Sequence, residues 1–292
     1  MNTQTNNRGN NHSGLTLVLG GTGKTGQRIA DRLTQLDVPI RIASRSTSPG
    51  FDWNDSSSWD AILAGVTVAY ISYSPDLAVP GATDTIRAFV DTAVAKGVQR
   101  LVLLSGRGEA EAQRCEQIVL DAGVTATIVR ASWFNQNFSE GEFVEMVLAG
   151  EITLPAGDIP EPFIDVDDIA DVAVATLTED GHNGEIYELT GPRLLTFATA
   201  AQEISAATGR EVRYTQIPAA AFTSGLSEAG LPDDVIWLMD YLFSTVLDGR
   251  NASLHDGVQR VLGREPKDFA TFASEIAASG LWASATAKTA AA

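Results

Sequence analysis

The feature that most constrains the fold of this 292-residue chain is a regular alternation of two hydrophobic periods. Short runs rich in β-branched residues, typical of buried strands, alternate with segments in which apolar residues recur every three or four positions. Strands separated by amphipathic helices form right-handed βαβ units, which place helices on both faces of a parallel sheet. We therefore expect an α/β fold, a Rossmann-type doubly wound parallel sheet. Its predicted strands cover residues 15–19, 38–44, 66–73, 98–105 and 124–132.

Beyond about residue 139 this alternation loosens, and the rest of the sequence predicts a smaller, mostly helical C-terminal lobe. We place the cofactor-binding domain at residues 14–150 and expect it to receive further elements from about 163–195. Residues 196–283 then form the substrate-binding lobe. The terminal segments, 1–13 and 284–292, are predicted to be a disordered leader and a disordered tail.

The charge balance bears on the class of partner. The chain carries 20 Lys and Arg against 37 Asp and Glu, a formal net charge of -17. Binding to nucleic acid needs clustered cations, so we expect no direct nucleic-acid partner. No apolar run approaches the roughly 20 residues that span a bilayer, and the single cysteine, Cys115, excludes an internal disulfide. These features predict a cytoplasmic protein with a small-molecule substrate and no membrane partner; a homodimer is compatible with them.

The sequence LVLGGTGKTG, residues 17–26, joins the first strand to the first helix and contains Gly-Lys-Thr. An ATP-binding P-loop would also need a glycine five positions before that tripeptide, where this chain has Val18 inside the strand. The glycines instead have the spacing of a dinucleotide turn. Gly20 permits the tight turn, Gly23 lets the backbone approach a pyrophosphate, and Gly26 lets the helix pack on the strand. With the donors of the helix N-terminus added, the loop predicts a dinucleotide site.

The end of the second strand indicates which dinucleotide is bound. An NAD site places an acidic residue there for the ribose 2′-hydroxyl, whereas an NADP site places an arginine for the 2′-phosphate. This chain has Ser44, Arg45 and Ser46 at that point and no acid. We therefore expect NADP(H) to be preferred over NAD(H), with these three residues among the cofactor contacts. An arginine that is merely solvated is the alternative.

Several motifs together resemble one family. LVLGGTGKTG, ASRS, FDWND, GVQRLVLLS, TIVRASWFNQNF, PFIDVDDIADVA and LTGPRLLT are similar, in this order, to motifs of the NmrA-like atypical short-chain dehydrogenases/reductases. Within that family the chain most resembles the triphenylmethane reductase and agroclavine (festuclavine) dehydrogenase group, which the closing LGREPKDFATFASE also resembles. The resemblance runs from about residue 15 to 282. It is specific for the family and much less specific for the substrate.

The resemblance implies a row of cofactor contacts. They are Gly20, Thr22, Gly23, Lys24, Thr25 and Gly26 at the pyrophosphate; Arg45 and Ser46 at the adenosine phosphate; Asp52 and Trp53 near the adenine; Ser72, Tyr73 and Ser74, after the fourth strand, beside the cofactor; and Ser105 near the nicotinamide. All of these positions follow predicted strands, where open α/β sheets bind their ligands.

One departure, shared with this group, bears on mechanism. Ordinary short-chain reductases use Tyr-x-x-x-Lys, in which the lysine lowers the pKa of the tyrosine so that it can protonate an alkoxide. None of the five tyrosines has a lysine four residues later, and alignment on Glu116 puts Gly108 and Ala112 at the two positions. The hydroxyls of Ser105 and Tyr73 are the remaining catalytic candidates.

Two function classes follow. The first is an NADP(H)-dependent reductase of a flat conjugated acceptor, such as an iminium, imine, quinone-like compound or activated double bond, which needs little proton help. The second is a non-catalytic dinucleotide sensor of the NmrA type, acting through a protein partner. An aromatic cluster after the sixth strand, expected to line a substrate pocket, favours the reductase, with core packing as the alternative. Its members are Trp133, Phe134, Asn137 and Phe138.

No metal is expected as a cofactor. The three histidines lie in polar loops or near the N-terminus. The acidic run from Asp165 to Asp171 is explained by carboxylates that stabilise the N-terminus of a helix.

Overall fold

The computed structural model describes residues 14–141 and 143–283, so the predicted leader 1–13 and tail 284–292 lie outside the described residues. Within the described part of the chain, no helix combines the length and the hydropathy needed to cross a bilayer. The strands are β1 (Leu15–Leu19), β2 (Ile40–Ala43), β3 (Val66–Ile71), β4 (Arg100–Gly106), β5 (Thr125–Ala131), β6 (Glu151–Leu154), β7 (Ile186–Leu189) and β8 (Arg213–Gln216). The helices are α1 (Lys24–Gln35), α2 (Trp59–Leu63), α3 (Ala82–Ala95), α4 (Ala110–Leu120), α5 (Val144–Ala149), α6 (Val166–Thr178), α7 (Phe197–Thr208), α8 (Ala219–Glu228), α9 (Asp233–Tyr241), α10 (Gly257–Leu262) and α11 (Phe269–Ala278).

A parallel sheet of six strands forms the centre of the fold. Its order is β2-β1-β3-β4-β5-β7, and every neighbouring pair is parallel. All six strands therefore end at one side of the sheet, which we call the carboxyl edge. The predicted Rossmann-type doubly wound fold is confirmed.

Helices cover both faces of the sheet, as their apolar periodicity predicts. On one face α1 and α6 pack together and bury Ile29 and Ile169 against Val18 and Tyr70 of the strands. On the other face α3 and α4 bury Phe89 and the single cysteine. That cysteine is a buried free thiol, as its apolar neighbours indicate. Burial, followed by nearby glutamates of α4, raises its pKa to about 12.

The strand count differs from the one implied by the family resemblance. Between β2 and α2, where every residue is described, the chain forms turns and a short 3-10 helix but no strand. Residues 72–74 therefore follow the third strand rather than the fourth, and residues 133–138 follow the fifth rather than the sixth. The carboxyl edge still brings both segments to the same side of the sheet.

A second body of structure lies beside the sheet, and we call it the small lobe. It comprises α5, β6, α7, β8, α8, α9 and α11; β6 pairs in parallel with β8, and α7 packs on α11. Helix α10 instead packs against α6 and β7 of the sheet layer. Aromatic side chains dominate the core of the small lobe: Phe138, Phe143, Phe163, Phe197, Phe222, Phe243, Phe269, Phe272 and Trp282.

Candidate dinucleotide-binding site

The sheet order creates a crevice beside β1. This strand lies between β2 and β3; helix α1, which follows β1, packs on one face of the sheet and α3, which follows β3, packs on the other, so the loops that leave β1 and β3 separate there. The two loops meet at their bases, since an ideal Cβ on Gly20 would lie 3.3 Å from Cβ of Ser72. Open α/β sheets bind ligands at such a switch point.

The glycine turn has the geometry that the spacing predicts. Gly20 has a positive φ of 65°, and its carbonyl accepts a 2.8 Å hydrogen bond from the backbone N of Gly23. A Cβ on Gly26 would lie 2.3 Å from that same carbonyl oxygen, so only glycine allows helix and turn to meet. The sequence analysis missed Gly21, where a Cβ would lie 2.5 Å from Cγ2 of Ile42.

Gly23 differs from the neighbouring glycines because the space that a side chain would occupy faces outward. It is exposed, and a Cβ there would meet only the Gly20 carbonyl within 4 Å, at 3.3 Å. Its φ of -91° is accessible to any residue, so no backbone strain requires glycine. The space above Gly23 is therefore available for a ligand to approach the backbone.

The N-terminus of α1 is open to an anion. Gly23 is its N-cap residue, the first turn contains no acid, and no described side chain caps it. By contrast, Asp165 caps α6, Thr196 caps α7 and Asp268 caps α11. Uncapped N–H groups and the positive end of the helix dipole together bind phosphate well.

The other members of the turn divide between outward and inward positions. Thr22 is exposed beside Gly23. The Nζ of Lys24 donates to Oδ1 of Asn137 at 2.9 Å, which ties the turn to the segment after β5. Thr25 is buried, and its hydroxyl accepts from Tyr70 at 3.0 Å. The Thr25 side chain therefore faces the sheet and leaves only its backbone N–H for a phosphate.

The loop after β2 carries an available cation. Arg45 is exposed and forms no ion pair with any described residue. The hydroxyls of Ser44 and Ser46 lie 3.1 Å apart on either side of it. The Ser44 carbonyl accepts from the backbone N of Phe51 at 2.9 Å, which closes the loop. An exposed guanidinium on a loop that also presents two serine hydroxyls is a suitable partner for a phosphate monoester.

The residues implied for the adenine are partly structural. Trp53 is 9% exposed and packs edge-on against Phe51 at 4.8 Å and Phe89 at 5.2 Å. Asp52 uses its carboxylate in a local turn, accepting from the backbone N of Asn54 at 2.9 Å. The Trp53 ring thus belongs to the core beneath the loop rather than to an open stacking surface.

The loop after β3 presents two serines and one tyrosine. Ser72 is half-buried and Ser74 is exposed. The Tyr73 ring packs 4.8 Å from the ring of Trp53, and its hydroxyl lies within hydrogen-bonding range of Thr85 on α3. Burial raises the pKa of Tyr73. The tyrosine therefore contributes to the layer under α3, and nothing around it activates its hydroxyl.

Ser105 is held by a buried charge network. It is 5% exposed, and its hydroxyl donates to Oε1 of Glu116 at 2.6 Å. Glu116 also pairs with Arg130, which reaches Glu188 at 2.8 Å, and Arg107 reaches the same Glu188 at 3.0 Å. The Ser105 hydroxyl is thus hydrogen-bonded to a carboxylate that Arg130 also binds.

The four residues expected to line a substrate pocket do not share one surface. Phe138 is fully buried in the core of the small lobe, where its carbonyl accepts from Nε1 of Trp282 at 2.9 Å. Phe134 packs against the sheet core. Trp133 is half-buried, with its ring 5.1 Å from that of Phe243. Core packing, the alternative explanation, thus accounts for both phenylalanines; Trp133 lies at the margin of the same small-lobe core, and Asn137 is bound to Lys24 of the glycine turn.

A cavity of about 410 Å³ opens at the carboxyl edge beyond β4. Its lining includes Arg107, Arg130, Glu188 and His255. Within this lining, Glu188 forms ion pairs with both Arg107 and Arg130. No group of three or more potential metal ligands occurs among the described residues.

Comparison with known proteins agrees with this geometry. The pattern of the NmrA-like family matches residues 12–269. This chain belongs to the NmrA-like family. Agroclavine dehydrogenase of Claviceps fusiformis is 33% identical over 282 residues, which cover 89% of this chain and 96% of that protein.

Two solved structures resemble this NmrA-like chain over nearly its whole length. The NADPH-dependent quinone oxidoreductase of Escherichia coli, complexed with NADPH, has a TM-score of 0.75 at 22% identity and covers 90% of this chain and 99% of its own. Triphenylmethane reductase of Citrobacter sp., complexed with NADP(H), has a TM-score of 0.70 at 18% identity, with the same coverage of 90% and 99%. At these identities the likeness establishes the fold. The resemblance to the family and to its triphenylmethane reductase and agroclavine dehydrogenase group is confirmed.

Proposed function

We propose that this protein is an NADP(H)-dependent reductase that transfers a hydride to a flat, conjugated acceptor. The observation that carries the proposal is the exposed, uncapped N-terminus of α1 behind the glycine turn. A phosphate-binding helix end at the switch point of a doubly wound sheet is the arrangement of dinucleotide enzymes. The dehydrogenase relative and the two reductase structures with NADPH or NADP(H) support the same assignment.

The residues of the candidate site suit the pyrophosphate and the 2′-phosphate of NADP(H). Gly23 and the first N–H groups of α1 would hold the pyrophosphate, in the space that a Cβ on Gly23 would fill. Arg45, between Ser44 and Ser46, would meet a 2′-phosphate, for which NAD(H) has no counterpart. When bound, the nicotinamide supplies or accepts the hydride.

The class of acceptor follows from the hydroxyls at the carboxyl edge. Ser105 donates to Glu116, and Tyr73 lies against Thr85, so neither is arranged as an activated acid. A reductase built in this way suits conjugated acceptors, including cationic ones that hydride alone neutralises. The contribution of the protein would then be orientation of the reactants and exclusion of water.

Two linked measurements test the proposal. Titrations of the full-length protein with NADPH and NADH, followed by fluorescence, should show tighter binding of NADPH. Quinones, imines and cationic conjugated dyes are then added, and the loss of NADPH is followed by absorbance. Binding without oxidation by any acceptor would contradict the reductase and favour a dinucleotide sensor.

A further inference from the structure

A pair of carboxyls, one buried and one half-buried, lies at the carboxyl edge, and no sequence motif indicates a role for it. Asp76 follows β3, and Glu109 directly precedes α4. Their side chains are hydrogen-bonding neighbours. Asp76 also accepts from the backbone N of Ala78 at 2.8 Å, whereas Oε2 of Glu109 has no donor among the described residues. Because ionised carboxylates only accept, a hydrogen bond between two carboxyls requires a proton on one of them.

Glu109 is aimed at the end of β4. It is 5% exposed, and an ideal Cβ on Gly106 would lie 2.2 Å from its Oε1 and 2.7 Å from its Oε2. An acidic residue at the N-cap ordinarily accepts from the helix N–H groups, but Glu109 makes no such bond within the described structure. Its carboxyl instead covers Gly106, next to Ser105, the residue that the family resemblance places near the nicotinamide.

The surroundings of the pair favour a retained proton. Burial, followed by the charge of Asp76, raises the pKa of Glu109 well above its ordinary value, and Glu116 of α4 raises it further. Burial also raises the pKa of Asp76. Like charges this close cannot both ionise easily, so the pair keeps one proton at pH values where an ordinary carboxyl has lost it.

Charged groups on the other nearby elements do not reverse this effect. Tyr241 of α9 faces the pair, and burial, followed by the charge of Glu109, raises its pKa. Arg250 donates to the Gly108 carbonyl at 3.1 Å, but its guanidinium is paired with Asp248 at 2.7 Å.

Tyr241 also brings an aromatic surface to this part of the crevice. Its ring is stacked on Trp237 with a centroid separation of 5.4 Å and an interplanar angle of 4°. Trp237 is 42% exposed, unusually high for a tryptophan. The Tyr241 hydroxyl is within hydrogen-bonding range of the Ala110 backbone, directly after Glu109, so the ring pair lies on the same side of α4 as the Glu109 carboxyl.

We propose that the Asp76–Glu109 pair donates the proton that neutral acceptors need, an inference that rests on the proposed reductase function. A neutral quinone or imine gains two electrons with the hydride and requires a proton at oxygen or nitrogen. Glu109 delivers that proton, the pair becomes fully ionised, and water restores the proton after product release. A cationic acceptor becomes neutral on gaining the hydride and takes no proton, so the pair is dispensable for it.

The test compares two acceptors in the same protein. The rate of NADPH loss is measured with a neutral benzoquinone and with a cationic triphenylmethane dye for the wild type, Glu109→Gln and Asp76→Asn. Glu111→Gln is the matched control, because Glu111 lies in the first turn of the same helix but pairs with Arg114 and Thr83. We expect Glu109→Gln to lower the quinone rate by about 10²-fold and to leave the dye rate and NADPH affinity within about twofold.

The outcomes separate the two proposals. Equal loss with both acceptors, or no loss with either, in a variant that still binds NADPH overturns the proton donor while the reductase stands. A wild type that reduces neither acceptor contradicts the reductase, and the proton donor with it. A Glu109→Gln protein that neither binds NADPH nor reduces either acceptor is misfolded, and Asp76→Asn, which should show the same selectivity, then takes its place.

The protonated carboxyl can also be observed without turnover. Because Glu161 is also protonated in part near neutral pH, the readout is the infrared difference spectrum between the cofactor-free wild type and Glu109→Gln, which should contain a protonated-carboxyl band at neutral pH; the difference between the wild type and Glu111→Gln should contain none. The quinone rate should fall as pH rises through the titration of this difference band, because the donor is lost when the pair ionises. A difference spectrum without the band at neutral pH would overturn the inference.

Discussion

Arg45 is the residue on which the cofactor preference depends. Its exposed guanidinium can form charge-assisted hydrogen bonds only with a cofactor that carries a 2′-phosphate. Arg45→Ala should weaken NADPH binding by roughly 1–3 kcal/mol and leave NADH binding unchanged, as measured by fluorescence titration. Arg213→Ala, which removes an exposed arginine of β8, is the control and should alter neither. Equal weakening for both cofactors would show that Arg45 does not contact the 2′-phosphate.

Variants that remove the hydroxyl of Ser105 or of Tyr73 test whether either group is the catalytic acid. Since each is engaged with a neighbouring side chain, we expect Ser105→Ala and Tyr73→Phe to reduce turnover by less than the 10²–10⁴-fold that marks a lost general acid. Trp133→Ala should weaken substrate use more than cofactor binding. The measurement is kcat and KM with each acceptor beside NADPH affinity. Abolished turnover in Tyr73→Phe with intact NADPH binding would assign the acid to Tyr73.

Glu161 links stability to pH. It is fully buried, neither of its carboxylate oxygens has a partner among the described residues, and burial raises its pKa from 4.5 to about 7. The folded state therefore holds a proton that the unfolded state releases, so stability falls as pH rises from about 4.5 to 7.

Glu161→Gln should consequently flatten the pH dependence of stability. We expect a gain on the order of 1–3 kcal/mol at pH 8 and little change at pH 4, measured by urea unfolding. Glu211→Gln, at an exposed position, should behave as the wild type. A variant that loses stability equally at both pH values would mean that Glu161 stabilises the fold in its ionised form.

Sequence reasoning predicted the geometry of the glycine turn because that geometry is local. The positive φ of Gly20 and the tight contact at Gly26 follow from the glycine spacing, whereas the contact of Gly23 with a pyrophosphate stays a prediction. Asp76 and Glu109 could not be found in this way, since their contact is made across two separate βα units. The burial of Phe138 was equally hidden, because it depends on Trp282 and on helices distant in the sequence.

At the scale of elements, one glycine of the turn can be substituted to remove cofactor binding without loss of the fold. Gly23→Val should preserve the fold, because its backbone is unstrained and its outward side is open, at a stability cost of roughly 1 kcal/mol or less. The new side chain occupies the approach to the turn, so both NADPH and NADH should lose binding. Circular dichroism and fluorescence titration measure the two effects.

Gly26→Val is the contrasting variant in the same turn. A Cβ at Gly26 meets the Gly20 carbonyl at 2.3 Å, so this variant should lose stability itself. A Gly23→Val protein that binds NADPH normally would mean that the turn serves only the fold.

Element boundaries show where the sequence signal ends. Gly209 adopts the left-handed conformation that ends α7, a glycine signal that is local to the chain. Asp165, the first residue of the acidic run, caps α6, whereas the apolar segment before it forms only an isolated bridge between Phe134 and Ile164. Strand β6 was missed, because a four-residue strand stabilised by a distant partner leaves little periodicity.

At the scale of the whole molecule, the alternation of strands and helices was sufficient to predict the sheet. The small lobe is harder to predict, since its core joins aromatic residues from positions 138 to 282 and no local pattern records those contacts. Two side-chain contacts join α1 to the segment that follows β5. Arg28 forms an ion pair with Glu140 at 2.6 Å, and Lys24 donates a hydrogen bond to Asn137. The crevice is therefore bounded by α1 on one side and by the segment after β5, which leads into the small lobe, on the other.

The measurement that tests the central claim most directly is the oxidation of NADPH by the purified full-length protein in the presence of a conjugated acceptor. The account predicts that NADPH is consumed in step with the acceptor, faster than NADH at equal concentration, and that Arg45→Ala removes most of this difference. A protein that binds NADPH tightly yet transfers no hydride to any quinone, imine or cationic dye would contradict it.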